Sequence, residues 1–167
     1  MLLHVINDPK GAPEDYEERK TAKAVVVGAD GKVLMFRSSL LGGGVEEGET
    51  FEDALHREVL EETGAVVEVL KPLGGIIGYH DNAKKKYVVE GYLCKYIDTL
   101  STPTTPHEYE QRITAVWQDP AESIVRLEKE LQNLEREDPS DYDPGVHQSK
   151  MHTRQIAVIL LKEFLKK

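Results

Sequence analysis

The chain has a single cysteine, Cys94, among its 167 residues. An intrachain disulfide is excluded, and the composition fits a reducing compartment. Long apolar runs are also missing. The longest near the C-terminus, IAVILL, is too short to span a bilayer. The opening MLLHVINDPK has no basic flank before an apolar stretch of adequate length, so no signal peptide is expected and the expected location is cytoplasmic. Positive charge is scarce: 21 basic against 30 acidic side chains give a formal charge of -9. Such a surface repels long polyanions, which argues against long nucleic acids and membrane surfaces as partners. Repeats, low-complexity tracts and domain linkers are absent. Length argues for one domain over residues 1–167.

What is present alternates between strand and helix signals, which indicates a mixed α/β domain. Ala24–Val27 and Lys32–Phe36 flank the turn signal Ala29-Asp30-Gly31 and predict a hairpin. A helix is expected from about Thr50, capped by Thr50 with Asp53 and stopped by Gly64. Val66–Leu70, Gly75–Tyr79, Tyr87–Tyr96 and Ile113–Trp117 read as strands, with a turn at Asp81-Asn82. Asp119-Pro120 opens a second helix running to about Arg136. A polar loop over Glu137–Gly145 leads to a third helix at roughly Lys150–Lys166. Ile156, Ile159, Leu160 and Phe164 at helical spacing mark its core face. Trp117 is expected in the core, Tyr79 and Tyr87 in strand packing, and His80 and His107 at the surface.

The stretch GGGVEEGETFEDALHREVLEETG stands apart. At about 100° per residue, Phe51, Ala54, Leu55 and Val59 fall on one helix face. Glu58 and Glu62 fall inside the same arc and Glu61 at its edge, while Arg57 and Glu52 lie just beyond its margins. Acidic helix faces are usually just solvated. Here the carboxylates share an arc with apolar residues, and their mutual repulsion in a partly buried patch needs compensation. A hard divalent cation supplies it, Mg2+ being the usual choice beside phosphate. The glycines Gly42-Gly43-Gly44 bring backbone close to something. They are neither a P-loop, since no Gly-Lys-Ser/Thr follows, nor the spaced glycines of a dinucleotide site.

From Gly43 to Ala65 the stretch resembles the Nudix box of MutT-like hydrolases: G, five residues, E, seven residues, R-E-U-x-E-E-x-G-U, with U aliphatic. Gly43, Glu49, Arg57-Glu58-Val59, Glu61-Glu62 and Gly64 match every fixed letter. Ala65 replaces the usual larger aliphatic residue, Leu41 stands where many members have proline, and the segment between Phe36 and Gly42 is short. The later EYEQRITAVWQDPAE is also similar to the family's pattern of Glu, Trp and then a helix.

The resemblance implies the Nudix α/β/α sandwich, a mixed sheet between the box helix and the later helices. It implies a pyrophosphohydrolase acting on a nucleoside diphosphate linked to X, with Mg2+ or Mn2+. Glu58, Glu61 and Glu62 become metal ligands with the Gly42 carbonyl, or Glu58 or Glu61 acts as the base. Glu49 and Arg57 become a structural pair, and Glu110 an added loop carboxylate, with Glu108 in reserve. The partner is a small-molecule nucleotide, and a homodimer is compatible with the pattern. The alternative is a catalytically weak Nudix-fold module that senses a nucleotide. Absence of the SQPWPFPxS-like segment of NADH-type members and of the post-box proline of ADP-ribose members points away from those substrates and towards an oxidised or ordinary nucleoside triphosphate or another NDP-X.

Overall fold

A computed structural model describes residues 1–9, 15–100, 114–138 and 143–166. Its centre is a mixed sheet of β1 (Leu2–Ile6), β2 (Glu17–Val27), β3 (Val33–Met35), β4 (Ala65–His80), β5 (Lys85–Thr99) and β6 (Val116–Gln118). The spatial order is β1-β4-β5-β2-β3-β6. The β1–β4 and β2–β5 pairs are parallel and the other pairs antiparallel. Helix α1 (Phe51–Thr63) covers one face, while α2 (Pro120–Arg136) and α3 (Pro144–Leu165) cover the other.

Strand periodicity divides the core. Along β2, Val25 joins a cluster with Ile124 and Leu127 of α2 and Ile156, Leu160 and Leu161 of α3. Its neighbours Ala24 and Val26 join the opposite cluster with Ala54, Leu55 and Val59 of α1, because successive strand side chains point to opposite faces. Cys94 lies fully buried in this second cluster, and burial pushes its thiol up to about 12.

Helix α1 forms where its local signals place it. Thr50 accepts from the Asp53 amide, the Asp53 carboxylate accepts from the Thr50 amide, and Gly64 ends the helix at φ 72°. Helix α2 likewise starts at Pro120 behind an Asp119 cap. The hairpin pairs Val26 with Leu34 and Val27 with Val33. Ile156 and Leu160 of α3 are buried, and Ile159 and Phe164 pack partly buried against the same cluster.

Several expectations need correction. Strand β2 starts at Glu17, because its polar first half is held by the parallel ladder to β5 rather than by apolar burial. Strand β4 is continuous, and register shifts around Val66/Val67, Val69/Lys71 and Pro72/Gly74 absorb its proline and glycines. Helix α3 begins at Pro144, not Lys150, because the Asp143 carboxylate caps its first turn. Strand β1, unforeseen, pairs along the edge with Gly75–Gly78. Trp117 is 40% exposed and packs edge-on to Tyr96 at 5.4 Å, since β6 is an edge strand. Residues 101–113, with His107, Glu108, Glu110 and Ile113, lie outside the described residues.

Candidate active site

The glycine run pairs with the edge of β2 and meets α1 from there. Isolated bridges join Thr21 to Gly44 and Ala24 to Leu41. The Ala22 and Ala24 amides donate to the Gly43 and Leu41 carbonyls at 2.9 and 3.0 Å. Two glycines are required here for different reasons. Gly42 adopts φ +108°, and a Cβ there would lie 2.3 Å from the Ala22 carbonyl oxygen. At Gly43 a Cβ would fall 2.4 Å from the carboxyl carbon of Glu58. The missing side chain at Gly43 is thus the space that the Glu58 carboxylate fills.

Helix α1 sends its acidic residues to this loop. Glu62 accepts the Gly42 N–H at 2.8 Å. Arg57 Nη1 donates to Glu58 at 2.9 Å and to Glu61 at 3.5 Å. Glu58, Glu61 and Glu62 are all partly buried, Glu58 and Glu61 against Arg57 and Glu62 against the Gly42 amide. Arg57 also grips Glu49 with two bonds, Nε to Oε1 at 2.7 Å and Nη2 to Oε2 at 2.9 Å, and donates to the Gly44 carbonyl at 2.9 Å. Such forked pairs are among the stronger charge-assisted contacts. The Arg57 guanidinium holds the Glu49 carboxyl down at about 2, helped by the Glu46 amide, and Glu49 in turn raises Arg57 above its usual range. Arg57 therefore meets three carboxylates and a backbone carbonyl, more than the single Glu49 pairing expected of it.

The donors available for a metal are hard oxygens only: the three carboxylates and the Gly42 carbonyl. That set suits a divalent cation such as Mg2+ or Mn2+. Among the described residues, no three histidine, cysteine or carboxylate side chains are already gathered closely enough to hold an ion. Arg57 engages Glu58 and Glu61, while the Gly42 amide engages Glu62.

The sequence patterns passed over Lys23 and His152. Lys23 donates from Nζ to the Gly42 carbonyl and, at 3.4 Å, to the Leu40 carbonyl. It also lines a cavity of about 140 Å³ between the sheet and α3, with Thr21, Tyr87, Ser149 and Thr153. A lone lysine inside TAKAVVV was the available signal. The cavity's other wall holds His80 and His152, 2.7 Å apart between Nε2 and Nδ1. His80 is buried rather than at the surface, because α3 closes over it, with Tyr87 against both rings.

His152 Nε2 faces Gly78 with no hydrogen-bond partner. A protonated His152 would leave a buried, unsatisfied N–H donor at Nε2, so the site disfavours its charged form. Burial lowers both histidines, and takes His152 to about 4. A depressed basic group binds fewer protons folded than unfolded. Its stability contribution is full above about pH 6.5 and declines as pH falls towards 4. Between pH 7 and 5, His152 alone should cost on the order of 2 kcal/mol of unfolding free energy. Urea titrations at the two pH values check this, and a His152→Gln protein should lose much less over the same interval. Equal losses in the two proteins would remove His152 as the cause.

Comparisons with known proteins agree with this architecture. The family model described as NUDIX domain matches residues 17–142. The chain is similar to the NUDIX hydrolase from Nitrosomonas europaea, with a TM-score of 0.64 and 18% identity over 90% of both chains. It is also similar to the MutT protein from Methanosarcina mazei Go1, with a TM-score of 0.53 and 19% identity, covering 68% of this chain and 84% of that one. At these identities the two likenesses show the fold. A curated relative, the NAD-capped RNA hydrolase NudC of Pasteurella multocida (strain Pm70), is 62% identical over 34 residues. That match covers 20% of this chain and 13% of the relative's length. No helix among the described residues is long and apolar enough to cross a membrane.

Proposed function

This chain belongs to the NUDIX family of hydrolases, and from that premise we propose that it cleaves the pyrophosphate bond of a nucleoside diphosphate linked to a further group X. The observation that carries the reading is the fit between helix and loop. The carboxylate of Glu58 lies in the space left by Gly43, and Glu62 clamps the amide of Gly42. Members of the family generally use divalent cations, and the proposed ligands are Glu58, Glu61, Glu62 and the Gly42 carbonyl. A bound cation supplies charge neutralisation at the pyrophosphate and makes water a better nucleophile there.

The remaining work falls to the chain's own residues. Arg57 and Glu49 fix the loop against α1, which holds the Gly42 carbonyl and Glu58 in one frame. A carboxylate oxygen of Glu58 or Glu61 takes the proton of the attacking water. The water oxygen bonds to one phosphorus, the bridging P–O bond breaks, and the products are a nucleoside monophosphate and phospho-X. With a nucleoside triphosphate the second product is pyrophosphate. The Glu110 carboxylate joins this reading as a further proposed contributor.

Turnover of a panel of nucleoside triphosphates, dinucleotides and nucleoside diphosphate sugars, read by phosphatase-coupled phosphate release, tests the reading. Mg2+ or Mn2+ should support turnover and excess EDTA should abolish it. Undiminished turnover in excess chelator would refute the metal-dependent mechanism. Saturable nucleotide binding with no turnover across the panel would instead favour a nucleotide-sensing module.

A further inference from the structure

We propose that Lys23 is a displaceable cation that couples the carboxylate cluster to the adjoining cavity. Its ammonium holds the Gly42 carbonyl when no metal is bound and, once released, binds an anionic group of the substrate. The inference rests on the proposed reading of Gly42 and the α1 carboxylates.

Three observations carry it. First, the Gly42 peptide is held from both ends: its N–H by Glu62 at 2.8 Å, its carbonyl by Lys23 Nζ. A divalent ion on that carbonyl would stand beside an ammonium of like sign, so the two compete for the oxygen. Second, Lys23 follows Ala22 and precedes Ala24, both packed towards α1, so its stem leaves β2 on the opposite face, the face of Val25. The stem therefore borders the cavity while its tip reaches the loop. Third, the rest of the cavity wall among the described residues is uncharged or apolar, with hydroxyls from Thr21, Ser149 and Thr153 and the His80–His152 pair. An anionic group entering the cavity meets the charge of Lys23. The lysine stem is long and flexible enough to turn from a carbonyl to such a group. Because coupling free energies are reciprocal, anion binding that draws Lys23 away also frees the carbonyl for the metal.

Mn2+ binding measured by electron paramagnetic resonance, without nucleotide, separates the possibilities. Lys23→Met should bind Mn2+ about tenfold more tightly than the unchanged protein, since the competing charge is gone. Lys23→Arg, which keeps the charge, should stay within about twofold of it. With Mn2+ saturating, inorganic pyrophosphate should bind Lys23→Met about tenfold more weakly. Unchanged or weaker Mn2+ binding in Lys23→Met overturns the proposal, and equal pyrophosphate affinity overturns the handover. Glu58→Gln is the control for the underlying site. If it weakens Mn2+ binding while Lys23→Met fails to strengthen it, only the role of Lys23 falls. If the unchanged protein binds no Mn2+, both readings fall.

Discussion

Glu58→Gln lowers kcat by roughly 10²-fold or more while leaving the fold intact, and Glu61→Gln does comparably. The amide has nearly the shape of the carboxylate, so the packing against Gly43 survives the change. What disappears is a charge and a basic oxygen at the point where helix and loop meet. Arg57 still reaches Glu49 through two bonds in the Glu58 variant, so the loop keeps its anchor. Steady-state kinetics at saturating metal, paired with a thermal melt, separates chemistry from folding. Near-normal kcat in both variants would return these residues to an ordinary solvated helix face.

Gly42→Ala acts mainly on stability. The residue sits at φ +108°, where an L side chain is strained, and its new Cβ would lie 2.3 Å from the carbonyl oxygen of Ala22. That oxygen belongs to the backbone of a central strand and cannot step aside. The combined strain is worth about 3 kcal/mol or more, which for a chain of this size lowers Tm by about 6–12 °C. Gly43→Ala makes the contrast informative, because its Cβ meets the end of the Glu58 side chain instead. A side chain can rotate away, so the melt should move less and kcat more. If Gly42→Ala melts within about 2 °C of the unchanged protein, the close approach to Ala22 is not a constraint.

The legible parts of this structure are those whose causes lie within a few residues. Thr50, Asp53 and Gly64 fix both ends of α1 by contacts inside a single turn. Asp119-Pro120 does the same for α2. The same Asp-Pro signal at Asp143-Pro144 starts α3, yet the polar run around it reads as a loop. Strand β1 and the first half of β2 were hidden because their pairing comes from residues far away in the chain, Gly75–Gly78 and Lys85–Val89.

The same division runs through the site. The spacing of Glu58, Glu61 and Glu62 along α1 is written in the sequence, and the loop they meet lies next to them. The His80–His152 contact joins residues 72 positions apart, and no local pattern announces it. The reach of Lys23 to Gly42 depends on which way β2 faces and how the loop crosses its edge. For Trp117 aromatic character argues for burial, whereas its strand ends up on the rim of the sheet.

The glycine loop is stitched into the sheet rather than laid over it. Ala22 and Ala24 donate to it, the Val45 amide donates back to Lys20, and Glu62 and Arg57 hold it from the helix side. Freeing the loop would mean parting the middle of β2 from its neighbour and unlatching α1 together. Such an opening is a sub-global unfolding event, not the swing of a flap. Amide exchange at Ala22, Ala24 and Gly42 would accordingly follow a shared slow clock, set by the persistence of the sheet. The backbone course of the glycine loop is therefore set when the sheet and α1 form, and it lasts as long as they do.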